Sequence, residues 1–474
     1  MDNNAFRRNA HYFVDWMADY LEKIEELPVK AQVEPGDIYR HIPDLAPAKG
    51  EPMDKIFSDF REIILPGMTH WQSPNFFAYF PANSSYPSVL AEMLTATMGA
   101  QSMKWETSPA ATELEERVMN WLKQMTGLPD HFQGVIQDTA STATLTAILT
   151  AREKYTDYRV NVDGLSSYNA LRVYCSTETH SSLEKAVKIA GLGSRNLVKV
   201  SADSNFRLDP DQLEQAIVSD LKTGNKPICV VATLGTTGVT AIDPLEEIAA
   251  ICLKYDLWLH VDAAFAGSAL ILPEYRWMIK GIENVDSFVF NPHKWLFTNF
   301  DCSAYFVKDK QALLRTLQLV PEYLRTQNQG RVNDYCDWGV PLGRRFRALK
   351  LWFVLRSFGV NDLQSKLRNH ILMAEELAEI IRRDQDFELM APRTVNLVCF
   401  RFKPAGIADE NELNRINEHL LRQINESGKA YMSHTKVNGK FTIRMVIANT
   451  NVEKRHVEEA WRLVQREKLK LQSL

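Results

Sequence analysis

Phe288-Val289-Phe290-Asn291-Pro292-His293-Lys294-Trp295 reads as a short apolar strand that breaks at a turn and delivers one lysine. A strand ending there sets an amine at the edge of a sheet. Leu257-Trp258-Leu259-His260-Val261-Asp262-Ala263-Ala264-Phe265-Ala266-Gly267 has the same form, with a carboxylate in place of the amine. Further apolar runs at Leu171–Ser176, Leu197–Val200 and Ile228–Thr233 are separated by segments with helical character. Such alternation predicts an α/β layer with a mainly parallel sheet, spanning residues 86–360. In open sheets of this class ligands sit at the carboxyl ends of the strands. His180, Thr237, Asp262 and Lys294 each follow a different strand candidate, so all four are expected at one edge.

The residue types at that edge suggest a chemistry. A lysine held out of water loses its charge more easily, and a neutral amine forms a Schiff base with an aldehyde cofactor. The competing reading is a solvated surface lysine. A carboxylate at the end of a buried strand needs a cation or several donors, and the protonated ring nitrogen of pyridoxal phosphate would serve. At about 4 Å and an effective dielectric near 20, such a pair interacts by roughly 4 kcal/mol. A helix cap or structural ion pair is the alternative for Asp262. In Gly134-Val135-Ile136-Gln137-Asp138-Thr139-Ala140-Ser141-Thr142-Ala143-Thr144-Leu145, hydroxyl residues precede an Ala- and Leu-rich stretch, predicting a helix that starts at Thr142 or nearby. Free N–H groups there, with the Thr139 and Ser141 hydroxyls, suit a phosphate, although a plain cap would look the same. No Walker or dinucleotide glycine pattern accompanies it. His180 could lie flat against an aromatic ring or be purely structural.

Together with His180-Ser181-Ser182 and Pro341-Leu342-Gly343-Arg344-Arg345-Phe346, these segments resemble the group II pyridoxal-phosphate-dependent decarboxylases, and most of all the aromatic-L-amino-acid branch. The likeness runs through nearly the whole chain. It implies the fold type I architecture of these enzymes and pyridoxal phosphate as cofactor, held by Thr139, Ala140, Ser141, His180, Thr237, Asp262, Ala264, Asn291, His293 and Lys294. It implies catalytic roles for Lys294, Asp262, His180 and Tyr323. Trp71, Tyr79, Phe80, Pro81, Ala82, Gln101, Met103 and Gly343 match substrate-pocket positions. Tyr323 falls in the polar stretch Pro321–Gly330, which reads as a mobile lid, and its hydroxyl is expected to protonate the carbanion left by decarboxylation. Related aldehyde synthases carry phenylalanine there, and some carry asparagine in place of His180. Gly343 leaves room for a phenyl or indole ring where some relatives have serine.

Three pocket positions depart from the animal enzymes. Ala82 replaces a threonine, and Gln101 and Met103 stand where isoleucine and phenylalanine line the pocket from a neighbouring subunit. Tryptophan, phenylalanine, tyrosine, dopa and 5-hydroxytryptophan all remain open as substrates, decarboxylated to the arylalkylamine. Aromatic acetaldehyde synthesis, transamination and a non-catalytic scaffold are the alternatives. Arg444 is expected to be structural and not a carboxylate clamp.

At 474 residues the chain exceeds one ordinary core. The expected division is a helical arm at 1–85, a large cofactor-binding domain at 86–360 and a small α/β domain at 361–474. The small domain is expected to have strands at Val395–Phe402 and Phe441–Ile447 and a final helix after Asn451. A net charge of −4 gives no pull toward nucleic acid or an anionic membrane. The six cysteines lack metal-ligand spacing and read as buried thiols of a reducing compartment, with no metal expected. Charges within the first residues argue against a signal peptide or membrane span, so a cytoplasmic location is expected. Phe13, Trp16, Met17, Tyr20, Leu21 and Ile24 form an aromatic-rich helical stripe, followed by a proline-punctuated segment. The resemblance implies that this arm embraces a second subunit in a homodimer with shared active sites; packing on its own chain is the other option.

Overall fold

The computed structural model describes residues 1–319 and 330–472. It divides into two compact units: Ala82–Ile371 with Ala391–Leu397, and Met1–Pro81 with Leu372–Met390 and Val398–Leu474. The first segment, expected as a separate arm, is thus grouped with the C-terminal one.

The larger unit is built on a seven-stranded sheet of β1 (Gln133–Gln137), β2 (Leu171–Ser176), β3 (Leu197–Val200), β4 (Lys226–Thr233), β5 (Trp258–Asp262), β6 (Ser287–Phe290) and β7 (Ser303–Val307), in the order β1-β7-β6-β5-β4-β2-β3. Strands β2 to β6 run parallel. β7 is antiparallel to both β6 and β1. Two reversals restore the direction, so β1 points the same way as β6. The carboxyl ends of β1, β2, β4, β5 and β6 therefore open on one edge, where the register sets Thr233, Asp262 and Val289 side by side.

Every residue of β5, β6 and β7 is buried. That explains their near-continuous apolar character, since a sheet covered on both faces has no solvated side to encode. The helix Ala140–Tyr155 supplies Ala143, Ala147, Ile148 and Ala151 to the same core as Val173, Val231, Val289 and Tyr305. Just past β4 the chain turns at Gly235, with φ +90°, and a Cβ there would meet the Cβ of Ala266 at 2.7 Å. Both the backbone conformation and the close approach require glycine at this turn. The strands β1 and β7 were not expected: β1 carries Gln133, Gly134 and Gln137, and its partner lies far along the chain.

The second unit has a four-stranded sheet of β8 (Phe387–Leu389), β9 (Leu397–Phe402), β10 (Ser433–Val437) and β11 (Lys440–Val446), ordered β10-β11-β9-β8. The helices Glu410–Glu426 and Lys454–Gln472 share its core, which joins Leu420, Phe400, Ile443 and Trp461. Trp461 meets Phe387 edge-on at 4.9 Å. In the first helix, Asn3–Glu22, Phe13 stacks on Phe57 at 4.7 Å and Trp16 meets Phe57 and Phe60 edge-on. Part of the aromatic stripe is thus satisfied within its own chain, yet no residue of this helix is buried.

Candidate active site

The short helix Pro292–Trp295 follows β6 directly and carries Lys294. Its proline sits in the first turn, where no N–H is needed. Burial lowers the Lys294 pKa, and the nearby Asp262 charge only partly opposes this. Asp262 closes β5, 8% exposed, and one of its oxygens accepts the Ala264 N–H at 3.0 Å. The same two charges act on His180: burial lowers its pKa, Asp262 raises it and Lys294 lowers it. Amine, carboxylate and imidazole are thus gathered within electrostatic reach at the sheet edge, as their positions after β6, β5 and β2 anticipate. His180 Nδ1 accepts the Ser182 N–H at 3.2 Å and lies 2.7 Å from the Ser182 hydroxyl, which puts the ring proton on Nε2.

The helix expected at Thr142 or nearby starts at Ala140. Thr139 is the cap of the helix Ala140–Tyr155, its hydroxyl accepting the Thr142 N–H at 3.3 Å. Its own N–H is held by the Asp138 carboxylate at 2.7 Å. The N–H groups of the first turn, at Ala140 and Ser141, have no partner within the helix, and the macrodipole favours an anion there. Thr237 lies in the turn that follows β4, at the same edge.

The lysine segment is pinned from several sides. Asn291 donates its N–H to the Ala264 carbonyl at 3.0 Å, tying the Lys294 turn to the Asp262 turn. The Ser303 hydroxyl sits 2.8 Å from Asn291 Oδ1. His293 Nδ1 accepts the Cys302 N–H at 2.9 Å, and burial pushes its pKa down to about 3. Trp295 is fully buried, stacks on Phe265 at 5.1 Å and donates its indole N–H to His370 Nδ1 at 3.0 Å. Burial drives His370 to about 3 as well, so it remains a neutral acceptor. Asn83 donates its backbone N–H to the His293 carbonyl at 3.0 Å and its side-chain amide to the Lys294 carbonyl. Asn83 and His370 carry no sequence signal for these roles, because their partners are remote in the chain.

The remaining pocket candidates fall into two groups. Gln101 and Gly343 lie together in the larger unit, and the Met103 carbonyl accepts the Cys336 N–H at 2.9 Å nearby. Ala82 begins that unit. Trp71, Tyr79, Phe80 and Pro81 belong to the other unit. There Trp71 stacks on Phe76 at 4.4 Å and on Tyr79 at 5.9 Å, and Tyr79 Oη lies 3.1 Å from Tyr431 Oη. Arg444 is 3% exposed, donates to Ser433 Oγ at 2.7 Å and lies over the Phe80 ring at 5.4 Å. Ser433 Oγ in turn accepts the Tyr79 N–H at 3.0 Å. Tyr323 lies outside the described residues.

Residues 35–403 match the pyridoxal-dependent decarboxylase conserved domain. The chain belongs to the pyridoxal-dependent decarboxylase family. It is 44% identical to tyrosine decarboxylase 3 of Petroselinum crispum, over 98% of this chain and 92% of that one. It is 45% identical to phenylacetaldehyde synthase of Arabidopsis thaliana, over 98% and 96%. The crystal structure of Oryza sativa TDC with PLP and tryptamine superposes with a TM-score of 0.96 at 37% identity, covering 99% of both chains. The family supplies the cofactor, pyridoxal phosphate, and the mainly parallel α/β architecture agrees with that of its members.

Proposed function

We propose that this family member decarboxylates aromatic L-amino acids to arylalkylamines and carbon dioxide, in the manner of an aromatic-L-amino-acid decarboxylase. The observation that carries this reading is the meeting of Lys294, Asp262 and His180 at one sheet edge, beside a helix N-terminus, in a chain whose relatives include tyrosine decarboxylases and aromatic aldehyde synthases.

The residues present fit the cofactor. Lys294 would hold its aldehyde carbon and Asp262 its ring nitrogen, through the oxygen that takes no hydrogen bond from the described residues. Thr139, Ala140 and Ser141 would hold the phosphate, with Thr237, Ala264, Asn291 and His293 shaping the surrounding turns. When bound, pyridoxal phosphate supplies an electron sink for the carbanion left by loss of carbon dioxide. Asp262 would keep a proton on the ring nitrogen and so strengthen that sink. His180 would cover the ring face and orient it. The lowered pKa of Lys294 lets its amine move a proton near neutral pH more readily than a solvated lysine would. Tyr323 is assigned from sequence alone as the proton donor to the carbanion, and tyrosine there favours amine over aldehyde. Trp71, Tyr79, Phe80 and Pro81 are the proposed aromatic contacts of the substrate side chain; within their own unit Arg444 orders Tyr79 through Ser433 and lies over the Phe80 ring.

The working form is a cytoplasmic homodimer with shared active sites. Support comes from the first helix, which has no buried residue, and from the exposed Tyr86, Leu90, Met93, Leu94 and Met98 on the helix Tyr86–Met98. Among the described residues no helix is long and apolar enough to cross a membrane. Incubating the purified protein with competing aromatic amino acids, while carbon dioxide, amine, aldehyde and peroxide are measured, tests the reading. Amine and carbon dioxide in equal amounts are expected; aldehyde with peroxide would identify an aldehyde synthase, and neither product would refute both activities.

A further inference from the structure

The loop after the helix Tyr86–Met98 is laced to the Gly343-Arg344 segment. Gln101 Oε1 accepts the Arg344 N–H at 2.6 Å, the Ser102 N–H donates to the Arg344 carbonyl at 2.9 Å, and the Arg344 guanidinium returns a bond to the Ser102 carbonyl at 3.3 Å. The backbone end of Gln101 is held too, its carbonyl accepting the Thr107 hydroxyl at 3.0 Å. With Oε1 committed to a backbone N–H, the orientation of the amide is determined. Its Nε2 must point the other way, and it does so across Gly343: a Cβ at that glycine would lie 3.2 Å from Nε2. The space that glycine leaves is therefore faced by an amide group with two N–H donors. Nε2 has no hydrogen-bond partner among the described residues.

An oriented donor without a partner contributes little in water and a good deal when a ligand removes the water around it. Isoleucine here would present only methyl groups. We propose that Gln101 is a specificity-determining residue, and that its Nε2 donates to an oxygen on the substrate ring. The enzyme thereby favours phenolic and other ring-oxygenated aromatic amino acids over unsubstituted ones. This rests on the proposed decarboxylase reading, which puts Gln101 and Gly343 in the substrate pocket. A site built to hydrogen-bond a substrate oxygen discriminates against the analogue lacking it, because its own polar group is then left unpaired.

The test is the ratio of kcat/KM for tyrosine to that for phenylalanine, with 5-hydroxytryptophan against tryptophan as a second pair. Gln101→Met keeps the length of the side chain and removes the donor. It is expected to lower both ratios about fivefold or more, the range of a neutral hydrogen bond. Gly343→Ala leaves Gln101 intact but sets a methyl 3.2 Å from Nε2, fills the space that the donor faces and forces the amide to shift by a few tenths of an ångström, and is expected to lower the same ratios. If the wild type releases carbon dioxide from these substrates and both variants keep its ratios, the inference is overturned while the function stands. If the wild type acts on no aromatic amino acid, both are overturned.

Discussion

Replacing Glu115 by alanine should destabilise the larger unit more than any other single carboxylate removal described above. The Glu115 side chain is 2% exposed and pairs at 2.6 Å with Arg344, itself 7% exposed. The same carboxylate oxygen accepts the Ile136 N–H at 2.8 Å, so it joins β1 to the Gly343-Arg344 segment. Removing it loses two hydrogen bonds to a buried charge, each worth about 1.5–3 kcal/mol. It also leaves a guanidinium buried without its counter-charge, and breaking such a pair typically costs about 3–5 kcal/mol. Arg344 keeps the carbonyls of Ile136 at 2.8 Å and Ser102 at 3.3 Å, which puts the expected loss at the low end, about 3 kcal/mol. For a unit of this size that corresponds to a fall in Tm of about 5 °C. Thermal melts of the wild type, Glu115→Ala and the double variant Glu115→Leu/Arg344→Met would measure it. The double variant should be the more stable of the two, because it buries no lone charge. A Glu115→Ala melt within about 1 °C of the wild type, a small fraction of that fall, would refute the argument that this ion pair holds β1 in place.

Lys294→Ala should abolish turnover and the visible absorbance of bound pyridoxal phosphate; retained turnover without added amine would remove the lysine from its assigned role. Tyr323→Phe should divert product from amine toward aldehyde and peroxide, and amine alone at an undiminished rate would discard the proton-donor assignment. His370→Leu removes the acceptor of the Trp295 indole N–H and should cost about 1–3 kcal/mol in denaturation experiments, with unchanged stability as the contrary result. Acid should destabilise the fold early. His260, His293 and His370 are held neutral, at about 4, 3 and 3, so below about pH 6.5 the unfolded chain binds protons that the native state refuses. Asp243 acts oppositely, because its pKa is raised to about 7 and its contribution is lost as pH rises through that value. The three buried histidines outnumber this one aspartic acid, so stability should fall as pH drops from 6 toward 4. Denaturation midpoints at pH 7, 6 and 5 would check the slope; a flat profile would contradict it.

The sheet edge was legible because its signals are local. Each of β2, β4, β5 and β6 is a compact apolar run, and the polar residue that follows it names the chemistry, so His180, Thr237, Asp262 and Lys294 could be collected without knowing how the strands pair. β1 escaped because its glutamines and glycine hide a strand whose partner, β7, comes much later in the chain. Asn83, His370 and Glu115 were invisible for a related reason. Each is a polar residue whose role is defined entirely by what folds against it. Tyr323 and the stretch around it were read from residue type and resemblance, and lie outside the described residues.

The position of β7 between β1 and β6 has a consequence for how the molecule comes into being. All of the proposed cofactor residues precede β7 in the chain, but β1 joins the described sheet only through β7. Until Ser303–Val307 is in place, β1, which leads into the helix that begins at Ala140, has no partner in the sheet, and the N-terminus of that helix is held by its packing on β4 to β6. Pairings between segments this far apart form late and slowly. Acquisition of pyridoxal phosphate should therefore report completion of the whole seven-stranded sheet, and nascent chains stopped short of Val307 should bind none of it, however much local structure they already hold.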